Sequence, residues 1–167
     1  ENGQIEKEEN YKDGKIVDGK YTSYYENGQI LNEVNYKDGK EDGKWTYYKT
    51  DGSLIGEGIY ENGKRLNGLF LTYFSNGTIK KEENYKDGKE DGKWTKYYEN
   101  GQISGEENYK DGNKEGKWTF YYENGQIKFK GNYKDGREDG KQTKYYENGQ
   151  LEREGNIKDG ERYGKYT

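Results

Sequence analysis

The sequence predicts an all-β fold: an elongated single-layer antiparallel β-meander of stacked β-hairpin repeats, each ~24 residues long. Three observations predict it. Glycines 19, 43, 68, 92, 116, 140 and 164 recur at intervals of 24 residues, once 25, and carry the same phrase with them. Asn-Gly or Asp-Gly pairs hold 19 of the 26 glycines, and such a pair between alternating strands is the strongest short-range hairpin signal. No stretch between these turns is long enough, or periodic at 3.6 residues, to read as a helix. The array divides into a partial repeat 1–17, full repeats 18–41, 42–66, 67–90, 91–114, 115–138 and 139–162, and a partial repeat 163–167.

Each repeat supplies two strands. In the clearest copy, strand A runs from Gly92 to Glu99 and is rich in aromatics and Thr; strand B runs from Gln102 to Lys110. Asn100-Gly101 reads as a two-residue type I′ loop, which needs positive φ at both positions, and Asn and Gly tolerate that best. The loop sets Glu99 opposite Gln102, Tyr98 opposite Ile103, Lys96 opposite Gly105 and Trp94 opposite Glu107. The same rule at Asp111-Gly112 sets Gly105 opposite Trp118. Opposed residues share a face, so Trp94, Tyr98, Ile103 and Tyr109 are expected on one packed side.

Rows of like residues extend that side along the array. One row is aliphatic: Ile5, Ile30, Leu54, Ile79, Ile103, Ile127 and Leu151. A second holds Tyr11, Tyr36, Tyr60, Tyr85, Tyr109 and Tyr133, then Ile157; a third holds Tyr21, Trp45, Phe70, Trp94 and Trp118, and is broken by Gln142. Gly58 and Gly131 fall opposite Trp45 and Trp118, where a ring can lie flat over bare backbone.

Composition restricts the chemistry. Charged residues make up 37% and only 21 residues are Leu, Ile, Val or Phe, a balance that by itself suggests disorder. Against that, 29 basic and 33 acidic residues leave a net charge of only -4, and 27 of the 44 apolar residues are aromatic, 20 of them Tyr. The weak acidity argues against nucleic acid as a partner, and no apolar run approaches a membrane span. With no His and no Cys there is no imidazole base, thiolate nucleophile or thiolate metal site. Carboxylates such as Glu106, Glu107 and Asp111 recur in most repeats, whereas a catalytic site is normally unique; they read as solvated charges in cross-strand Lys/Glu pairs. The segments at 38–43 and 87–92 lack the alternating acids of a calcium loop, and no Gly-x-Gly-x-x-Gly joins a strand to a helix. The expectation is therefore a non-enzyme without catalytic residues, cofactor or metal.

The more polar side carries Thr95, Glu106, Asn108 and Tyr97. Tyr97 has a counterpart in every full repeat: Tyr24, Tyr48, Tyr73, Tyr121 and Tyr145. A row of identical rings on a polar side is either a ladder covering flat backbone or a contact surface, and these six tyrosines are the candidate contact surface.

The phrase Asp-Gly-Lys-Trp-Thr-Tyr-Tyr, followed by Asp/Asn-Gly-x-Ile/Leu and closing on Tyr-Lys-Asp-Gly-Lys, resembles the bacterial MORN-repeat variant of YwqK-type antitoxin proteins. The resemblance covers the whole chain. It implies stacked β-hairpins and a non-enzymatic protein-binding role, with a host protein or a toxin as the partner. A secreted or surface-displayed bacterial interaction module is the leading expectation; a cytoplasmic antitoxin acting by protein contact is the alternative. Gly-Lys-Trp-Thr-Tyr-Tyr followed by Asp-Gly also resembles choline- and glucan-binding repeats, which keeps carbohydrate binding open. Residue 1 is not methionine, so the chain reads as processed or excised. It opens on a B-type strand (Ile5 to Tyr11) and ends on an incomplete A-type strand, two edges that match each other, so weak head-to-tail self-association is also expected.

Overall fold

The computed structural model describes residues 7–8, 11–12 and 15–164, and every strand pairing among them is antiparallel with no helix. Ile5 and the first and last residues of the array lie outside the described residues, as do the side chains of the opening strand. The chain forms two compact units, Glu1–Phe70 with Tyr85–Gly88, and Leu71–Asn84 with Lys89–Thr167.

In the first unit, strand A Gly19–Tyr24 pairs with strand B Ile30–Lys37, and Gly43–Tyr48 pairs with Leu54–Glu61. Strand B of one repeat also pairs with strand A of the next, as Glu33 faces Thr46. In the second unit the same order links Gly92–Tyr97, Ile103–Lys110, Gly116–Tyr121, Ile127–Lys134, Gly140–Tyr145 and Leu151–Lys158. Consecutive strands are neighbours, so each unit is a meander of hairpin repeats. A two-residue strand precedes most A strands, such as Lys40–Glu41 and Asn113–Lys114; in Lys64–Tyr73 the two pieces are continuous.

The two turn types differ, which corrects one expectation. Asp111 (φ 50°) and Gly112 (φ 85°) both have positive φ, as a type I′ turn requires. At Asn100-Gly101 only the glycine does (φ 82°). There Gly101 N–H donates to Tyr98 O at 2.9 Å and Tyr98 N–H to Gln102 O at 2.8 Å. The loop therefore has three residues, a type I turn followed by a left-handed glycine. The register changes with it: Tyr97, not Tyr98, faces Ile103, and a β-bulge separates Lys96 from Tyr97. Beyond the bulge the expected pairs Lys96 with Gly105 and Trp94 with Glu107 are present. A second irregularity follows the Asp-Gly turns at 38–39, 87–88, 111–112 and 135–136; after the third, Glu115 N–H donates to Asn108 O at 2.9 Å between the two strand pieces. It moves the next strand by two residues, so Gly105 faces Phe120 rather than Trp118.

Rings cover one side of each unit. In the first, Trp45 lies 4.5 Å from Tyr60, Tyr60 lies 4.8 Å from Phe70, and Phe70 lies 5.5 Å from Tyr85 (ring centroids). In the second, Trp94, Tyr109, Trp118 and Tyr133 follow one another at 4.8, 5.3 and 4.8 Å. Trp45 sits opposite Gly58 and Trp118 opposite Gly131, as the sequence implies.

Both edges of each unit are laddered from repeat to repeat. On the Asn-Gly side, the hydroxyls of Tyr25, Tyr98 and Tyr122 donate to the carbonyls of Tyr48, Tyr121 and Tyr145 at 2.7, 2.6 and 2.8 Å. On the Asp-Gly side, Gly112 N–H donates to Glu90 O at 2.9 Å and Gly136 N–H to Lys114 O at 3.0 Å. The neighbouring amide of Asp135 donates to the Glu115 carboxylate at 3.0 Å. Polar groups that a turn would leave to water are thus satisfied by the repeat before or after it.

Candidate functional site

Strand alternation places Thr95 and Tyr97 on the side away from Trp94, and the ladder brings Glu106 to the same side by pairing it with Thr95. The six tyrosines 24, 48, 73, 97, 121 and 145 are all half-buried there. Three hydroxyls donate to a glutamate of the preceding repeat: Tyr48 to Glu33 at 3.1 Å, Tyr97 to Glu82 at 2.9 Å and Tyr121 to Glu106 at 2.8 Å. A lysine holds the other side of the same carboxylate in two cases, Lys20–Glu33 and Lys93–Glu106, each at 2.5 Å. Lys44–Glu57 and Lys141–Glu154 repeat the ion pair. A Lys–Glu–Tyr triad is thus complete at Glu33 and Glu106, and one of its two contacts recurs at Glu57, Glu82 and Glu154.

The aliphatic row stands beside the tyrosines, which corrects its expected place on the ring side. Leu54 faces Tyr48, Ile103 faces Tyr97 and Leu151 faces Tyr145. The extra residue of each bulge turns these side chains to the other side of the sheet. They are unusually open for their type: Leu54 is 54%, Ile103 38% and Leu151 49% exposed. Leu54 and Tyr48 line an open depression of about 470 Å³ together with Lys20, Glu33, Lys44 and Glu57.

A second correction concerns the acids. Glu106 is partly solvated as expected, but Glu107 is 1% exposed on the ring side, paired with Trp94 across the ladder. Lys96 Nζ lies 2.5 Å from its carboxylate, and the Tyr109 hydroxyl donates to it at 3.0 Å. Glu83 is likewise buried, with Lys81 at 3.5 Å. The register pairing Trp94 with Glu107 was the available signal.

The triads shift the ionisation of their members. The hydrogen bond from Lys93 holds the Glu106 carboxyl below the usual carboxylate range, and Lys20 does the same for Glu33. Burial, then the Glu82 carboxylate, pushes the Tyr97 hydroxyl up to about 12. Burial, then Glu138, does the same on the ring side for Tyr133. A depressed carboxyl stabilises the fold above its unfolded value of ~4.3, and the contribution is lost as pH falls through the lower folded value. A raised tyrosine contributes fully below its ordinary value of 10.0, and for Tyr97 that contribution is lost as pH rises from there through about 12. The urea midpoint should therefore hold steady near neutrality and fall below pH ~4 and above pH ~10. A midpoint unchanged up to pH ~12 would contradict the tyrosine half of this result.

The two-turn hairpin, the triad and the ring row recur with the period of a described repeat: the MORN repeat variant matches residues 1–13, 17–38, 41–64, 66–87, 90–111, 114–135 and 138–159. The chain belongs to the MORN repeat variant family. No curated protein matches the chain at a significant level. Each MORN repeat after the first matched segment therefore contains an A strand, its Asn-Gly-type loop and its B strand.

Proposed function

We propose that this MORN repeat protein is a non-catalytic scaffold that binds another protein along the tyrosine-bearing face of each unit, with Tyr24 and Tyr48 in the first and Tyr73, Tyr97, Tyr121 and Tyr145 in the second. The observation behind this reading is the exposure of Leu54, Ile103 and Leu151 beside that row. Apolar side chains left open in one row and flanked by charged pairs are the composition of a contact surface. The ring side already spends its apolar surface on itself: Trp94, Trp118 and Phe70 are buried there. The repeated charge pairs supply register along a partner rather than a single reactive centre.

The test is site-specific photocrosslinking. Benzoylphenylalanine placed at residues 54, 103 and 151 should capture a protein partner, while the same group at Arg153 and Arg162, exposed residues that pair with Lys144 and Ile157 on the ring side, should not. Equal capture from both sets would reject the face. The captured protein separates the possible settings: a toxin identifies an antitoxin, and an extracellular or host protein identifies a secreted or surface-displayed module. Binding of choline or a glucan with no protein captured would replace the scaffold by a carbohydrate-binding array.

A further inference from the structure

We infer that the Lys117–Lys130 site on the tyrosine-bearing face receives a carboxylate from an acidic segment of the partner protein. The inference rests on the proposed binding face and assigns the chemistry of one position within it. In six B strands the residue at this place is a glutamate: Glu8, Glu33, Glu57, Glu82, Glu106 and Glu154. In the repeat between the last two it is Lys130, which pairs across the ladder with Thr119 and Thr143. The lysine that would bind the missing glutamate is still present as Lys117, at the place where Lys93 binds Glu106 at 2.5 Å.

Two cations thus occupy the positions of an ion pair, an arrangement that costs stability instead of adding to it. The nearest acids of the row are committed elsewhere. Glu106 takes Lys93 and the Tyr121 hydroxyl, and Glu154 takes Lys141 at 3.0 Å. Among the described residues neither Lys117 nor Lys130 has an ion pair, Lys117 acting on Glu106 only at longer range than Lys93, and the Tyr145 hydroxyl donates no hydrogen bond. Lys130 Nζ instead lies 5.9 Å from the centroid of the Tyr145 ring. Two lysines and a tyrosine hydroxyl are therefore arranged as the donors of a triad whose acceptor is missing. A carboxylate from outside would complete it, as Glu106 completes the triad one repeat earlier. Tyr145 and the half-exposed Leu151 facing it supply the apolar neighbour for the acidic segment's stem.

The chain's net charge of -4 gives an acidic peptide no general reason to bind, so binding would report a local site. The test measures fluorescence anisotropy of a labelled deca-glutamate peptide with the full chain at low and physiological salt. Lys130→Glu closes the triad internally; it should weaken binding at least about tenfold while raising the melting temperature. Lys110→Glu makes the same charge change on an exposed lysine of the preceding repeat and should leave binding within about threefold. Absence of binding at low salt, or equal weakening by both variants, would overturn the inference. So would displacement by inorganic phosphate at the same concentration of anionic groups, which would reassign the site to phosphate. The photocrosslinking result is independent: capture at residues 54, 103 and 151 without deca-glutamate binding removes only this site. Binding sensitive to Lys130→Glu without such capture removes only the scaffold face.

Discussion

Replacing Trp118 by alanine will destabilise the second unit by about 3–5 kcal/mol, the largest effect expected of any ring in the array. The side chain is only 4% exposed. Its ring meets Tyr109 at 5.3 Å and Tyr133 at 4.8 Å, so one deletion opens a hole between two neighbours. Its indole N–H donates to Asn108 O at 3.1 Å, and Lys114 Nζ stands 4.6 Å from the ring centroid. A large ring removed from close packing leaves a cavity that a paired sheet cannot collapse to fill. Trp45 is the internal comparison, because its buried indole N–H has no hydrogen-bond partner. Phenylalanine should therefore be tolerated better at residue 45 than at residue 118, where it removes an existing hydrogen bond and leaves the Asn108 carbonyl with that from Glu115 N–H alone. Urea unfolding followed by circular dichroism measures both, and a cost below about 1 kcal/mol for Trp118→Ala would show that the rings are surface decoration.

Gly68→Ala should come next, at about 2–5 kcal/mol, combining backbone strain with overpacking. Gly68 has φ +100°, and a Cβ there would meet Glu57 O at 2.3 Å and Gly58 Cα at 2.9 Å. Both obstacles are backbone of the paired strand, so no rotamer change relieves them. Gly77→Ala isolates the strain: its φ is +82° and nothing lies within 4 Å of the added carbon. It should cost about 1 kcal/mol. Equal losses at the two sites would mean that the close strand approach at residue 68 adds nothing to the strain of its dihedral angle.

The hairpins were legible because the turns that make them are spelled in every repeat, and strand alternation between turns needs no tertiary information. The ring rows were legible for the same reason. What the sequence concealed was a pair of offsets that cancel. The three-residue loop at 99–101 adds one residue, and the bulge at Ser104 adds one on strand B, so the pair Lys96 with Gly105 is unchanged. Between the two offsets, however, side chains exchange faces, and Ile103 lands beside Tyr97. Nothing local distinguishes Asn-Gly in a two-residue turn from Asn-Gly in a three-residue one, since the glycine is left-handed in both. The burial of Glu107 was hidden differently. Repetition suggested a solvated acid, but its ladder partner is Trp94, and the ring chain closes over it with Lys96 as counter-ion. Within each unit the candidate tyrosines stand on the side away from the rings, as alternation alone requires, while their glutamate partners one repeat back depend on which strands adjoin.

The edge ladders make length a quantised variable. Excising residues 92–115, 24 in all, would bring Asp91 next to Gly116 and give each lost bond a substitute of the same kind. Glu90 O, which now accepts Gly112 N–H, would accept Gly136 N–H in place of Lys114 O. Asn84 O would receive the Trp118 indole instead of that of Trp94. Glu82 would receive the Tyr121 hydroxyl in place of Tyr97's. A cut that is not a whole number of repeats would leave the edge donors and acceptors out of step, the one 25-residue interval being taken up where Lys64–Tyr73 runs without a break. Unequal crossing-over between copies of the repeat is therefore harmless only in whole steps, and a gene encoding such an array can lengthen or shorten its product like a ruler cut at its own graduations.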